Sequence, residues 1–282
     1  MVFRQRNRDD FVNSASQTAG IDKVESDDYQ VPVLPQQVDI LGVPIDNLLI
    51  QDLLAQLKSG GIVFTPNVDH IIELNQNPQF REAYAIATHR TCDSQILMYA
   101  SRFLGTPIRE KISGSDLFPA FYHNYRHDED VRIFLLGGKE GVAQRARERI
   151  NDKVGREMVV GAHSPSFGFE THADECESIV ARINRSNATV LAVGVGAPKQ
   201  EQWICRYKDR FDRIRLFFAL GATLDFEAGS RRRAPKWVSN LGVEWLYRMV
   251  QEPGRLYKRY LIKDTRFFWL LLQHRLTGSS KL

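Results

Sequence analysis

Asp93 stands third in the run Thr91-Cys92-Asp93-Ser94, between a short strand end and the helix expected over Gln95 to Leu104. A carboxylate there can take a proton from an attacking hydroxyl or can cap the helix, and spacing leaves both roles open. Thr65 and Asn67 stand in the same relation to a strand over Ile62 to Thr65, with helical pattern resuming at Val68. They can meet a ligand, and they are also residue types favoured as caps. A third group lies in Thr189 to Trp203, TVLAVGVGAPKQEQW. Its apolar first half reads as a strand buried on both faces, it breaks at Gly194 and Gly196, and Pro198 suits the first turn of a helix. Free N–H groups at such a helix start favour anions, which places a phosphate or carbonyl ligand beside Gly196, Lys199 and Gln200.

Gly137-Gly138 with Gly141 forms another glycine-rich strand-to-helix turn, fit to cradle a diphosphate or a ribose. The full dinucleotide fingerprint is missing, and no acidic residue ends a strand about 20 residues later, which argues against a nicotinamide cofactor. Arg109, Lys111 and Asp116, around the loop GTPIREKIS and the helix start GSD, can face a ligand or simply be solvated charges. His123 and His127 lie four apart, and Asp128-Glu129-Asp130 has the acid-x-acid form used to hold divalent metals. Both fall in a charged turn before the strand Val131 to Leu136, at the amino end of the sheet, where ligands are not expected. The three cysteines, Cys92, Cys176 and Cys205, match no metal or disulfide spacing and suit a reducing, cytosolic chain. No metal and no cofactor are expected.

These residues need a scaffold, and the alternation supplies one. A leucine stripe marks a helix over Asn47 to Lys58, after a strand with a turn in Val38 to Pro44. From Val131 onward, strands alternate with helices of ten to fifteen residues, ending in a strand over Leu216 to Gly221. That alternation predicts an α/β fold, a Rossmann-like, doubly wound and mostly parallel sheet. The loop His163 to Phe169 and the stretch Ala222 to Gly229, which carries Asp225, close the same face of it. Residues 1–37 are polar and unpatterned, a flexible arm; residues 38–230 form the core; residues 231–282 form a basic helical appendage.

The appendage differs in charge from the rest. From Arg231 onward there are 12 Lys or Arg against 3 Asp or Glu, so the total of +4 divides into +9 for this end and −5 for residues 1–230. Arginines alternate with Trp237, Trp245, Tyr247, Tyr257, Tyr260, Phe267, Phe268 and Trp269. Basic, aromatic, amphipathic helices suit an anionic membrane surface, while nucleic acid competes for the same pattern and a helical cap on the core is the third reading. The start of the chain lacks the apolar core of a signal peptide, and the longest strongly apolar run, Phe267 to Leu272, is too short to span a bilayer.

TPNVDH, CDS, GSDLF, FLLGG, GVGAPKQEQW, GATLDFEAG, RRRAPKW and GVEWLYRMVQEPGRLYKRYL, in this order over roughly residues 38–262, resemble the WecG/TagA/CpsF glycosyltransferases. The resemblance implies a Rossmann-like core whose C-terminal appendage meets the membrane. It also implies an inverting, metal-independent transfer of an N-acetylmannosamine-type sugar or a hexose from a UDP-sugar to a lipid-diphosphate-linked acceptor. The place would be the cytoplasmic face of the cell membrane, in cell-surface polysaccharide synthesis. A homo-oligomer is compatible with this, and nucleic acid is then not a partner.

Carried over by motif, the family's catalytic aspartate falls on Asp93, its threonine and asparagine on Thr65 and Asn67, and its glutamine on Gln200. Its appendage arginines fall on Arg248 and Arg255, with Lys258 or Arg259 as a third. In the transferase reading Arg109, Lys111, Gly137, Gly138, Gly196, Lys199, Gln200, Asp225, Lys258 and Arg259 bind substrate. Two positions depart from the family pattern: Ser94 stands where glycine is usual, and Lys111 where arginine is usual, which keeps the charge but loses the bidentate fork. Two other readings use the same residues, a nucleic-acid-binding protein built on the basic aromatic tail and a nucleotide-sugar dehydrogenase or epimerase. The missing cofactor fingerprint disfavours the second.

Overall fold

The structure is a computed structural model that describes residues 36–231, 233 and 253–277. Six strands form one sheet: β3 (Gly61–Phe64), β4 (His89–Arg90), β5 (Ile133–Gly137), β6 (Val159–His163), β7 (Val190–Gly194) and β8 (Leu216–Ala219). Their spatial order is β4-β3-β8-β7-β5-β6, and every pairing is parallel. Two further strands, β1 (Gln37–Ile40) and β2 (Val43–Asp46), form a separate antiparallel hairpin. The strand with a turn expected over Val38 to Pro44 is therefore two strands. Ile40 faces Val43 across a two-residue turn in which Leu41 and Gly42 both have positive φ, as the twist of a tight hairpin requires.

The central strands are uninterrupted apolar runs because both sheet faces are covered. All five residues of β5 and of β7 are buried. Successive side chains point to opposite faces, and the core divides accordingly. Phe64, Phe134, Leu136, Leu191, Val193 and Phe217 belong to one apolar cluster; Val63, Ile133, Leu135, Val190, Ala192 and Phe218 belong to the other.

The helices sort by the same rule. On the first face lie α2 (Val68–Gln76), α3 (Pro78–Ala85), α4 (Gln95–Phe103), α7 (Ala173–Arg185) and α8 (Lys199–Tyr207). On the second lie α1 (Ile50–Leu57), α5 (Gly114–Asn124), α6 (Val142–Val154) and the short α9 (Thr223–Glu227). α7 shows why: Cys176, Ile179, Val180 and Ile183 recur at helical spacing and are all buried. Each such aliphatic side chain contributes roughly 1.5–3 kcal/mol of burial.

The last described element, α10 (Pro253–Thr277), touches α2. Phe267 and Leu271, four apart, are buried in the first cluster, whereas Phe268, Trp269, Leu272 and Leu276 stand exposed. Among the described residues no helix is long and apolar enough to cross a membrane.

Candidate active site

The chain leaves every strand of a parallel sheet at one edge, and there the topology gathers residues from distant parts of the sequence. β5 leads outward to β6 while its neighbour β7 leads the other way, to β8, so a crevice opens between their carboxyl ends. Thr65 and Asn67 follow β3, Asp93 follows β4, Gly137 ends β5 with Gly138 just after it, Gly196 and Gln200 follow β7, and Asp225 follows β8. All lie at this edge. Asp128, Glu129 and Asp130 precede β5 and lie at the other.

The β3 and β4 tips are tied by backbone bonds, Thr91 N donating to the Phe64 carbonyl at 3.0 Å and Asp93 N to that of Pro66 at 2.9 Å. The residue capping α4 is Ser94, so Asp93, half-buried, stands one position outside the helix. Asn67 does cap α2, its Oδ1 accepting from His70 N at 3.2 Å, and Thr65 is buried beside it. Cys92 is enclosed, and burial pushes its thiol up to about 12. A thiol held protonated in this way is a weak nucleophile.

Lys111 reaches the same place by another route. Ile112 N donates to the Cys92 carbonyl at 2.8 Å, and Lys111 lies close enough to act electrostatically on Cys92. The loop before it is pinned to the start of α1: Arg109 N donates to Asn47 Oδ1 at 2.8 Å, and Ile50 N to Glu110 Oε2 at 2.7 Å. Arg109 itself is exposed. Asp116 is engaged within its own neighbourhood, accepting from Ser113 Oγ at 2.6 Å and pairing with Arg233 at 2.7 Å.

At the β5 and β7 tips the glycines divide by purpose. A Cβ on Gly137 would stand 2.4 Å from the Gly194 carbonyl oxygen, so that glycine is required by the approach of two backbones. Gly196, with φ of +90°, has open space where a Cβ would be, which leaves its surroundings free for a ligand. Gln200 does not project into that space. It is 3% exposed, and its Oε1 accepts from Gly196 N at 3.2 Å and from Gly221 N at 3.0 Å, lashing the tips of β7 and β8 together. Lys199 pairs with Glu170 and lies 4.9 Å from the ring of Phe167, which is 98% exposed on the loop after β6. Asp225 lies in the first turn of α9.

Of the appendage residues, Arg255, Lys258 and Arg259 fall on the backbone of α10, and Arg248 lies outside the described residues. Residues 1–35 of the expected arm lie outside them too. Among the described residues no group of three His, Cys, Asp or Glu is placed to hold a metal ion.

The sequence reading missed a buried polar cluster behind these tips. Tyr84 on α3 is fully enclosed; burial first, then the Glu201 carboxyl, drive its phenol well above the ordinary range, with Arg90 opposing and Asp93 adding to the shift. Its hydroxyl meets His70 Nδ1 at 2.7 Å. Glu201 is 0% exposed, and burial pushes its carboxyl up to about 7. One signal for it existed: Glu201 adjoins the buried stripe Gln200, Trp203, Ile204 and Tyr207. An acid in the first turn of a helix nevertheless reads as a solvated dipole partner.

Comparison with known proteins identifies the family. The family described as "Glycosyl transferase WecG/TagA/CpsF family" matches residues 38–281. Over 232 residues, 78% of this chain and 87% of that one, the sequence is 25% identical to the N-acetylglucosaminyldiphosphoundecaprenol N-acetyl-beta-D-mannosaminyltransferase of Staphylococcus aureus strain MW2. The protein of the same name from strain MRSA252 is 26% identical over the same shares. A nicotinate phosphoribosyltransferase structure from Vibrio cholerae, at a TM-score of 0.21 and 12% identity over 66% of this chain and 47% of that one, is too distant to bear on fold or function.

Proposed function

The chain belongs to the WecG/TagA/CpsF family of glycosyltransferases, and on that premise we propose that it moves an N-acetylmannosamine-type sugar or a hexose from a UDP-sugar to a polyprenyl-diphosphate-linked sugar, with inversion and without a metal. The names of the relatives support the acceptor. The observation that carries the reading is the placement of Asp93: a half-buried carboxylate at a strand tip, outside the helix it precedes, beside Thr65, Asn67 and Lys111.

In this mechanism the Asp93 carboxylate takes the proton of the acceptor hydroxyl as its oxygen bonds to the anomeric carbon. The bond from that carbon to the UDP oxygen breaks on the opposite face. A positioned base contributes roughly 10²- to 10⁴-fold. UDP leaves with its negative charge, which Lys111, the open backbone around Gly196 and the arginines Arg248 and Arg255 are suited to offset. Thr65 and Asn67 hold the reacting groups in register. The exposed apolar stripe of α10, Phe268, Trp269, Leu272 and Leu276, with Arg266 and Arg275 on the same helix, supports docking on an anionic cytoplasmic leaflet, where a polyprenyl acceptor lies.

The test offers a panel of UDP-sugars with a lipid-diphosphate-linked N-acetylglucosamine and reads the product by mass. A product enlarged by one N-acetylhexosamine or hexose, with the β configuration if the donor is α-linked, is expected. No transfer from any UDP-sugar overturns the reading.

A further inference from the structure

Transfer as described leaves Glu201 without a task, yet Glu201 sits directly behind Gln200. Its Oε1 accepts from Gln200 Nε2 at 2.8 Å, and its Oε2 has no hydrogen-bond partner among the described residues. An amide side chain presents oxygen on one side and two donors on the other. At Gln200 the oxygen is committed to two backbone donors, Gly196 N and Gly221 N, so the buried nitrogen needs an acceptor. Glu201 provides it. We propose that Glu201 is a positioning residue for transfer: its carboxyl fixes which way the Gln200 amide faces, and thereby holds the β7 and β8 tips that form one wall of the site.

The proposal rests on the transferase reading, and it makes that wall sensitive to pH. Glu201 acts electrostatically on Tyr84 from α3, whose phenol also feels Arg90 and Asp93 from β4 and its tip and meets His70 from α2. On α8 itself Lys199 is held by Glu170. Burial, only partly opposed by the hydrogen bond from Gln200, raises the carboxyl from 4.5 to about 7. A folded value above the unfolded one means that the folded state keeps a proton the unfolded chain has lost. The stability this confers is complete below 4.5 and is lost as pH rises through about 7. Deprotonation also turns a neutral acceptor into a charged one opposite Gln200 Nε2, so the wall has two electrostatic states across neutral pH.

The experiment compares the full chain with Glu201→Gln and Glu201→Leu across pH 5.5 to 8.5. It reads kcat for transfer and, separately, backbone amide exchange at Gly196 and Gly221. In the wild type both readouts are expected to inflect at about pH 7, the value to which burial drives the carboxyl. Glu201→Gln keeps an acceptor oxygen but cannot ionise, so it should retain kcat within about threefold and lose the inflection at both glycines. Glu201→Leu keeps the bulk without the acceptor, so kcat should fall at least about tenfold while both amides exchange faster. Wild-type exchange at both glycines in Glu201→Leu, or an inflection there that survives in Glu201→Gln, overturns the proposal. If the leucine variant does not fold, the glutamine variant decides alone. The exchange readout needs no turnover, so a wild type that transfers no sugar while its glycine amides respond to pH tells against the transferase reading and leaves the Gln200 brace standing.

Discussion

At the amino edge of the sheet, Asp128, Glu129 and Asp130 occupy the turn before β5, with Glu129 and Asp130 exposed. Asp130 N donates to Asp128 Oδ1 at 3.1 Å, and Arg156 donates to the Asp128 carbonyl. At the carboxyl edge Asp93 is the one acid of its turn, half-buried, acting on the enclosed Tyr84 and Cys92, with Lys111 also within electrostatic reach of Cys92. Carboxylates in a solvated turn are screened by water, and that of Asp128 is also met by its own backbone. One carboxylate at a strand tip stands where polar groups are partly stripped of water, so each unit of charge has more effect. The contrast sets density of acids against position relative to the sheet as rival guides to chemistry.

The sharpest way to break this contrast is Asp93→Asn. Turnover should fall at least about 100-fold while UDP affinity and thermal stability hold, as for a lost general base. Unchanged turnover would remove the privilege of that edge. A second substitution pair probes α10, which buries Phe267 and Leu271 and leaves its other apolar residues in solvent. Phe268→Ser with Trp269→Ser should weaken flotation with anionic vesicles by on the order of tenfold or more, because only interfacial burial is lost, and leave the melting temperature nearly unchanged. Vesicle binding equal to wild type would mean that this stripe serves some other contact. The smallest effect belongs to the amino edge: Asp128→Asn with Asp130→Asn should change kcat by less than about twofold, and exhaustive EDTA treatment should not matter. Loss of activity restored by Mn²⁺ or Mg²⁺ would reverse the comparison.

Much of this architecture is legible one element at a time. The apolar run Val190 to Gly194 announces a doubly covered strand, and β7 is buried throughout. Cys176, Ile179, Val180 and Ile183 announce a helix face. The hairpin was harder to read, because Leu41 adopts positive φ and is itself buried, so the turn carries an apolar residue where a polar one is usual. Asn67 was ambiguous for a chemical reason: the amide that can meet a substrate is the amide that caps α2. Lys199 reads as an anion ligand at a helix start, yet the folded chain supplies its own carboxylate, Glu170.

By itself the sequence determined the α/β class, the order of strands and helices after the opening hairpin, and the edge to which Thr65, Asn67, Asp93 and Gly196 belong, since periodicity and parallel connection are local properties. The motifs likewise carried the family, which spans residues 38–281. Only the tertiary structure decided the strand order and the fate of individual polar groups: that Gln200 faces two backbone amides, that Glu201 is sealed from water, and that Tyr84 stands within electrostatic reach of both Glu201 and Asp93. Burial of a charge depends on what packs over it from α3 and α8, segments more than a hundred residues apart, and no local pattern encodes that meeting.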